Sequence, residues 1–593
     1  MCGIVGYIGG RDAQPILLQS LKRLEYRGYD SCGIAVLGST IKVSKDVGRV
    51  QQLEKALPRD NGKLGIGHTR WATHGKPSRS NAHPHTDCSG NIAVVHNGVI
   101  DNSQQLRDEL TGEGHRFLSE TDTEVMPHLI ERYYQGDLEQ AVKRALADVK
   151  GSYALIVLAA NHEELLVARN DSPLVIGVGD GENFVASDVP ALLDYTDRVI
   201  YLEDGDVGII TGDAIRLLNQ DCEVRRETNV IPWTLEDAQK GGYEHFMLKE
   251  IHEQPRVIRD TLGGYISAIE PAVDLGLERT DFEDVLLLAC GTSYHAGLVG
   301  RCLLERIARV PVRVEIASEF SHSDAVLGKT WVIGITQSGE TADLLGALKK
   351  AKQMGCKTLA ITNCIGSSVT RIADQTFYIK AHPEISVAAT KSFIAQLMAL
   401  YLLALSEAKM DIRSLQGLIG ELSVLPDRVQ LILDDEEKIA RFGKYLSTYD
   451  SAFFIARGIN FPVALEGALK LKEISYIHAE GYPAGEIKHG PFALLTPDTP
   501  VIAITARDDT YEAMLANIKE IKARESPVIA LAGEDDEDIE QFVDHVIRVP
   551  GVSSILSPVI NSVALQLLAY YAAKERGCPI DMPRNLAKSV TVK

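Results

Sequence analysis

The chain has no cysteine pattern for pairing. Its nine cysteines are scattered from Cys2 to Cys578, an odd number, and no two form a Cys-x-x-Cys pair. That argues against a disulfide framework and points to free thiols in a reducing, cytoplasmic setting. It also has no long apolar run. Stretches such as VLLLA at 285–289 are strand-length, far short of the ~20 residues that cross a membrane. No basic segment followed by an apolar core opens the sequence, so no secretory leader is expected. Nor is there an excess of positive charge: 61 Lys and Arg face 81 Asp and Glu, a formal net charge of −20. That argues against nucleic acid and anionic membranes as partners. An acidic protein that binds a phosphate must do so locally, with backbone N–H groups and hydroxyls. What remains is an ordinary 45% hydrophobic content in 593 residues, too long for one core, so roughly two to four domains are expected.

The stretch with most chemistry is the first, MCGIVGYIG. A small residue behind Met1 lets the methionine be clipped, which makes Cys2 the mature N-terminus. Thiol and α-amine then sit on one residue. With a reference pKa of about 7.7–8.0 the amine can take the thiol proton and return it to a leaving amine. The same stretch is equally consistent with a small apolar residue opening a buried strand.

Residues 2 to about 220 alternate β-rich runs with glycine turns, and two stretches, 13–24 and 120–135, have helical patterning. Mixed strands and helices predict a layered α+β domain. Its loops concentrate polar chemistry: GHTRWATHG at 67–75, NAHPH at 81–85, HNG at 96–98 and ETDT at 120–123. His83-x-His85 and its neighbours could be read as zinc ligands. Yet no second carboxylate or cysteine falls at zinc-site spacing around them, and Arg70 adds a repelling cation. Most of these histidines can be ordinary hydrogen-bonded loop residues. Substrate logic gives a third reading. A free amino acid needs an arginine for its carboxylate and a carboxylate for its ammonium, and Arg70 and Asp122 supply them. Asn97 and the Gly98 N–H supply donors for an oxyanion. With Cys2 this makes a site for hydrolysing a small amino-acid amide.

MCGIVGYIG, YRGYDSCG (26–33), TRWATHG (69–75), NAHPH, HNG and SETDTE (119–124) occur in that order. Together they resemble the class II glutamine amidotransferase domain. The resemblance implies an N-terminal-nucleophile hydrolase fold, a four-layer αββα sandwich. It implies that Cys2 attacks the glutamine side-chain amide, that Arg70, Thr73, His74 and Asp122 hold the glutamine, that Asn97 and Gly98 form the oxyanion hole, and that Trp71 gates the passage of ammonia.

Residues 221–245 read as a linker, charged at 221–228 and flexible at KGGY, 240–243. A polar helical stretch, 245–263, follows. From Asp284 the pattern becomes strand, turn, helix: VLLLA ends in CGTS (290–293), WVIGI (331–335) ends in TQSGET (336–341), and a third strand covers 358–362. Buried strands alternating with helices predict a parallel doubly wound sheet with ligands at the strand C-termini. The pattern recurs at AFFIARG (452–458) and VIAIT (501–505), so this half is two copies of one α/β domain. The first copy has Ser, Thr and Gly in its loops, whereas the second has Ala506-Arg507-Asp508-Asp509. Small donors at a helix N-terminus attract phosphate and acids repel it, so the first copy is expected to bind the phosphate.

CGTSYHAG (290–297), TQSGETAD (336–343), ATKSF (389–393), ALEGALKLKEISYIHAEGYPAGEIKHGP (464–491) and LAKSVTV (586–592) resemble tandem sugar isomerase (SIS) domains. With the N-terminal motifs they resemble the glutamine–fructose-6-phosphate aminotransferase (isomerising) family over essentially the whole chain. The family's sugar-phosphate contacts fall on Thr292, Ser293, Thr336, Gln337, Ser338, Thr341 and Val387. Thr336 stands where serine is usual and keeps the hydroxyl. Ala389 also replaces a serine, which removes one possible sugar contact. Lys470 and Glu473 lie one helical turn apart, hence on one face; read alone they could be a surface ion pair. The resemblance makes Glu473 the isomerisation base, Lys470 its assistant, and His489 the ring-opening residue, reaching the site from the neighbouring subunit of a homodimer. Lys588 resembles the lysine that forms a Schiff base with the open ketose, although a C-terminal lysine could equally be a frayed tail. Its apolar neighbours Leu586, Val590 and Val592 argue for docking, and burial among them would favour the neutral amine.

The expectation is therefore a multidomain α/β and α+β chain. It has a glutaminase domain at 2–220, a linker at 221–245, a first SIS domain at 246–425, and a second at 426–593 with its tail. Expected partners are L-glutamine, D-fructose 6-phosphate and a second copy of the chain, with no cofactor and no metal. The implied product is D-glucosamine 6-phosphate, at the entry to amino-sugar synthesis. A related enzyme acting on another sugar phosphate, or a sugar-phosphate sensor with a vestigial glutaminase, stays open from the residues alone. Intact Cys2, Arg70, Asn97, Asp122, Glu473 and His489 disfavour the sensor.

Overall fold

A computed structural model of the chain describes residues 2–72, 75–231, 239–266, 273–278 and 280–590. It divides into two compact units, Met1–Ala238 with Ala587–Lys593, and Gln239–Leu586.

The first unit contains two antiparallel sheets. One has eight strands in the order Thr228–Val230, Arg198–Tyr201, Val175–Val178, Asn183–Ala186, Gly3–Ile8, Leu64–Arg70, Ser31–Leu37, Ile41–Val47. The other has seven: Cys222–Val224, Ile215–Asn219, Asp206–Ile210, Leu165–Asn170, Gly151–Ala159, Ile92–Ile100, His85–Thr86. Alternation along the strands puts Ile4, Ile8 and Ile66 of the first sheet against Val95, Ile156 and Leu158 of the second, in one apolar layer. The opposite face of the second sheet (Val94, Leu155, Val157) packs on helices Ser103–Gly112, Val125–Tyr133 and Leu138–Asp148 through Leu106, Leu129 and Val142. Helix Ala13–Arg23 covers the first sheet at strands Gly3–Ile8 and Leu64–Arg70. This is the expected αββα order of layers, with apolar residues on one face of each outer helix and both faces of each sheet covered.

Two expectations here need correcting. The charged run read as linker contributes edge strands: Cys222–Val224 pairs with Ile215–Asn219, and Thr228–Val230 pairs with Arg198–Tyr201. Between them Arg226 forks onto the buried Asp206 carboxylate at 2.7 and 2.9 Å, so its charge is paired rather than solvated. The helix expected from 120 begins at Val125. The residues before it are held as a loop, with Glu124 accepting the Leu118 and Ser119 N–H groups at 2.7 Å each.

The second unit holds two five-stranded parallel sheets of identical topology. Their orders are Val312–Ile316, Asp284–Ala289, Thr330–Ile335, Lys357–Thr362, Gln375–Tyr378 and His478–Pro483, Ser451–Ala456, Val501–Thr505, Val528–Gly533, His545–Val549. In each, the first strand in sequence lies between the second and third, which makes a topological switch point beside it. Helices Lys391–Ser406 and Ser557–Glu575 are apolar almost all round and are buried along nearly their whole length. One apolar cluster runs through both copies, from Val285 and Ile333 to Ile502 and Leu568. The boundary expected between 425 and 426 falls inside the helix Ile412–Asp434, at Pro426. The stretch 245–263 is two helices, Phe246–His252 and Gln254–Leu262, the second begun by Pro255 in its first turn. Asp581 accepts the Phe246 and Met247 N–H groups at 3.0 Å and so caps the first of them.

Candidate active sites

In the first unit the edge of the site is the opening strand. Cys2 precedes Gly3, whose register partner is Thr69, so the neighbouring strand ends at Arg70 beside the thiol. The Trp71 N–H donates to Cys2 Sγ at 3.2 Å. Asn97, on a strand of the other sheet, donates to the Cys2 carbonyl at 2.9 Å. Gly98 follows with φ of +130°, and a Cβ there would overlap the Ser152 carbonyl, so only glycine fits. Asp122 is buried and accepts the Ile100 N–H at 2.9 Å. Arg70 is buried and donates to the Gly75 carbonyl at 3.0 Å. Burial pushes the Cys2 thiol up, against the N-terminal ammonium, the Trp71 N–H and Arg70, which favour the thiolate. Trp71 meets Tyr29 edge-on at 5.7 Å. Thr73 and His74 lie outside the described residues.

The nearby histidines are packed and neutral. His68 stacks on His83 at 4.0 Å, and His83 meets His85 at 4.7 Å. His85 bonds the Thr121 hydroxyl at 3.0 Å and His96 that of Thr123 at 2.8 Å. Burial lowers His68 to about 3 and takes His83 and His85 well below the ordinary value.

In the second unit, the loops at 290–293 and 336–341 leave the ends of two adjacent parallel strands, where Leu288 is in register with Gly334. They therefore face one another at the switch point of the first copy. Helix Gly291–Leu303 begins with Thr292 and Ser293 in its first turn, and helix Ala342–Gln353 begins behind Thr341. Neither helix is capped by the side chain at its N-cap position, which leaves first-turn N–H groups to an anion. Thr336 and Thr341 hydroxyls lie 3.1 Å apart, and Thr336 Oγ1 accepts the Gly339 N–H at 3.2 Å. Gly339 has φ of +68°, and a Cβ would run into Ser367. Ser293 accepts from Gln396 at 3.0 Å, the Gln337 carbonyl accepts the Asn363 N–H, and Ser338 accepts the Glu340 N–H at 3.2 Å. The matching loops of the second copy carry charged contacts instead, although their helices too lack an N-cap side-chain bond and a cavity borders Ala506 and Arg507. Arg457 donates to Asn517 at 2.9 Å, Asp508 caps the Thr510 N–H at 2.8 Å, and Arg507 is shared by Asp536 and Asp538 at 2.9 and 3.0 Å.

The two copies meet at a buried charge cluster. Lys470 and Glu473 lie on helix Phe461–Ser475. Lys470 is fully buried, so this is no surface pair. Its ammonium donates to Glu473 at 2.6 Å and to the Thr292 hydroxyl at 3.1 Å, and lies 3.4 Å from Glu466. Glu466 also accepts from Thr292 at 3.0 Å and bonds His295 at 2.7 Å. Burial alone would discharge Lys470, but Glu466 and Glu473 outweigh it and hold the ammonium well above the ordinary lysine range. Burial likewise works against ionised Glu466, and Lys470 and His295 overcome it to keep the carboxylate below its ordinary value.

The remaining expected residues are dispersed. Val387 is buried and donates its N–H to the Asp581 carbonyl at 3.0 Å. His489, in a 3₁₀ turn at Ile487–His489, is exposed on the chain. Lys588 is half-buried, Val590 is 54% exposed, and Val592 lies outside the described residues. Among the described residues the apolar burial expected around Lys588 is thus not found. Sequence reading missed Arg27, which donates to the Cys2 carbonyl at 3.2 Å and pairs with Asp188 at 2.8 Å. It also missed Asp30, which accepts the Ala72 N–H at 2.8 Å, and the Glu466–His295 pair. The i,i+4 spacing of Glu466 and Lys470 was the available signal for Glu466.

Two domain models match this chain. A glutamine amidotransferase domain covers residues 68–194, and SIS domains cover 281–406 and 445–576. A protein of Caldanaerobacter subterraneus subsp. tengcongensis named glutamine–fructose-6-phosphate aminotransferase [isomerizing] is 49% identical over 607 residues, all of both chains. The chain belongs to the glutamine–fructose-6-phosphate aminotransferase family. A Thermus thermophilus member of that family is 48% identical over 603 residues, again over all of both chains. The solved C-terminal domain of glucosamine-fructose-6-phosphate aminotransferase from Francisella tularensis covers 58% of this chain and 100% of its own, at 36% identity and a TM-score of 0.55. Family membership accounts for the pairing of an amide-hydrolysing domain with two sugar isomerase domains in one chain.

Proposed function

We propose that the chain converts L-glutamine and D-fructose 6-phosphate to L-glutamate and D-glucosamine 6-phosphate. The observation that carries this reading is the coexistence, in a chain of this family, of a Cys2 site between two sheets and a buried ammonium–carboxylate cluster beside an uncapped double helix N-terminus.

In the first step Arg70 and Asp122 bind the two ends of the amino acid and Cys2 Sγ attacks the side-chain amide carbon. Asn97 and Gly98 donate to the oxyanion, the α-amine passes the thiol proton to the leaving ammonia, and water cleaves the thioester to glutamate. By the family resemblance Thr73 and His74 also bind the glutamine, and Trp71 controls where ammonia leaves. In the second step Thr292, Ser293, Thr336, Gln337, Ser338, Thr341 and Val387 hold the sugar phosphate. His489, from a second copy of the chain, opens the ring, and Lys588 condenses with the C2 carbonyl until ammonia displaces it. Glu473 then carries a proton from C1 to C2, which turns the ketose imine into the amino aldose. Lys470 stays an ammonium in this scheme. It orients Glu473 and offsets negative charge that builds in the proton transfer, which leaves the nucleophilic amine role to Lys588. The working form is a cytoplasmic homodimer in this reading, and no described helix is long and apolar enough to cross a membrane.

A product assay with both substrates, run on the parent and on Cys2→Ala, tests this. The parent should form glucosamine 6-phosphate from glutamine, and Cys2→Ala only from added ammonium salts. Parental glutamate release by Cys2→Ala would refute the nucleophile. No amino sugar from the parent with either nitrogen source would refute the overall reaction.

A further inference from the structure

The first unit carries a second cluster of reactive side chains that the amide chemistry does not use. Cys88 sits in the turn that enters strand Ile92–Ile100, and His115 follows helix Ser103–Gly112. His128 and Glu131 are i,i+3 on helix Val125–Tyr133, hence on one face. One ligand atom from each of these four residues lies within 4.8 Å of all the others. From this convergence we propose that Cys88, His115, His128 and Glu131 form a tetrahedral zinc site that pins the loop carrying Asp122.

Four of the six ligand-atom distances are those of ligands around one ion, and the other two are within 4.8 Å. Zinc–sulfur and zinc–nitrogen or –oxygen bonds of about 2.3 and 2.0–2.1 Å at tetrahedral angles place S···N pairs about 3.5 Å apart and N···O pairs about 3.3 Å apart. Cys88 Sγ lies 3.7 Å from His115 Nδ1 and 3.6 Å from His128 Nδ1. Glu131 Oε2 lies 3.0 Å from His115 Nδ1 and 3.5 Å from His128 Nδ1. Both imidazoles aim the same ring atom at the same sulfur and the same oxygen. Backbone donors steady the two anionic ligands from behind: the Arg116 N–H to Cys88 Sγ at 3.4 Å and the Cys88 N–H to Glu131 Oε2 at 3.2 Å. The Phe117 ring meets the His128 ring at 4.6 Å and fixes its plane. A thiolate, a carboxylate and two neutral imidazoles balance a divalent charge. The sulfur and nitrogen donors select zinc over magnesium or calcium, and four protein ligands close the shell, as in a structural site. Cys88 is exposed and provides the way in. The expectation of no metal rested on His83 and His85, and none of the four ligands is either of them.

The site closes a staple across the segment from 115 to 128. Inside it lie Ser119, Thr121 and Asp122, with Arg107 donating to the Ser119 and Thr121 carbonyls at 3.0 and 2.7 Å. Zinc would therefore position Asp122, which the reading above gives the glutamine ammonium, without touching substrate itself.

The test uses full-length protein reconstituted with Zn²⁺ or Co²⁺ alone. Metal analysis should find about one zinc per chain, as a single four-ligand site requires. Cobalt in the Cys2→Ala background, where that thiol cannot contribute, should give a thiolate-to-cobalt charge-transfer band and the visible bands of a tetrahedral ion. Cys88→Ser and His128→Gln should each abolish that band and weaken zinc binding roughly a hundredfold or more. Absence of both bands in the Cys2→Ala chain, or zinc binding unchanged in both variants, overturns the site whether or not the variants fold well. Chelation of otherwise wild-type protein should raise KM for glutamine several-fold and leave ammonium-dependent synthesis unchanged. Metal binding with an unaltered glutamine KM overturns the positioning role, and loss of synthesis from ammonium as well would overturn its confinement to the first unit.

Discussion

Replacing Lys470 by methionine keeps the length of the side chain and removes its charge. The structure makes the consequence calculable in outline. The ammonium is fully buried, 2.6 Å from Glu473 and 3.4 Å from a Glu466 that is itself 1% exposed. Losing one member of a buried ion pair strands the other, at a cost of about 3–5 kcal/mol. Unfolding entropy grows with chain length, so for a unit spanning Gln239–Leu586 this amounts to a fall of roughly 5 °C in its thermal transition. In the variant, burial acts on Glu466 without its main compensating cation, so the loss should shrink as pH falls and the carboxyl takes up a proton. Adding Glu466→Gln removes the stranded charge and should recover most of the stability at neutral pH, within about 1–2 kcal/mol of the parent. Neither variant should make amino sugar, and both should hydrolyse glutamine. Calorimetry of the three proteins, with glutaminase and synthase assays alongside, reads all of this. A single variant that melts within a degree of the parent, or a double variant no better than the single, would refute the ion-cluster account.

Three further outcomes follow from other parts of the chain. Ser338→Asp places a carboxylate in the proposed cradle and should weaken fructose 6-phosphate binding by at least tenfold while sparing glutaminase; a sugar phosphate found beside Arg507 in a crystal would refute the assignment. His68 is lowered to about 3 by burial, against an ordinary value of 6.5, so the unfolded chain binds more protons between those limits, and stability present above pH 6.5 is lost as pH falls. Each pH unit in that window costs up to about 1.4 kcal/mol per such histidine, and urea midpoints of His68→Gln that decline from pH 7 to 5 as steeply as the parent's would contradict it. Borohydride reduction in the presence of fructose 6-phosphate should leave a sugar adduct on the peptide containing Lys588; a normal rate of synthesis in Lys588→Arg, with no adduct in the parent, would return that lysine to the role of a tail residue.

Much of this was readable from sequence because the relevant signals are local. Val285–Ala289 and Trp331–Ile335 are unbroken apolar strands followed at once by small polar residues, and a buried parallel strand can hardly be written otherwise. Cys2, Arg70, Asn97 and Asp122 were singled out because the chemistry of an amino-acid amide demands such groups. The failures come from pairings made over distance. Cys222–Val224 and Thr228–Val230 are short edge strands with exposed faces, so no apolar alternation marks them, and the charge that looked solvated at Arg226 is matched by Asp206. Glu466 and His295 are set side by side by the packing of helix Phe461–Ser475 on helix Gly291–Leu303. Cys88 and His128 are likewise joined only when the turn before strand Ile92–Ile100 meets helix Val125–Tyr133. Lys588 failed in the other direction: its apolar neighbours suggested burial, but a tail segment with Val590 half exposed does not supply it.

The two sugar-isomerase copies have one topology but bring different side chains to their shared core. Neither copy caps its switch-point helices through the N-cap side chain; the second differs in setting Arg457–Asn517 and Arg507–Asp536 contacts in the matching loops. What the second contributes instead is helix Phe461–Ser475, with Glu466, Lys470 and Glu473 turned toward the first copy. Thr292 joins the two: its hydroxyl accepts from Lys470 and donates to Glu466, and its chain neighbour Ser293 sits in the proposed cradle. Ser293, the proposed phosphate anchor, is thereby one residue from Thr292, which bonds the ammonium that holds the proposed base Glu473 on the other copy's helix. Binding energy gained at the phosphate can then be expressed at the reacting carbons. A single copy could supply either the anchor or the buried charge cluster; duplication followed by divergence lets one rigid core hold both.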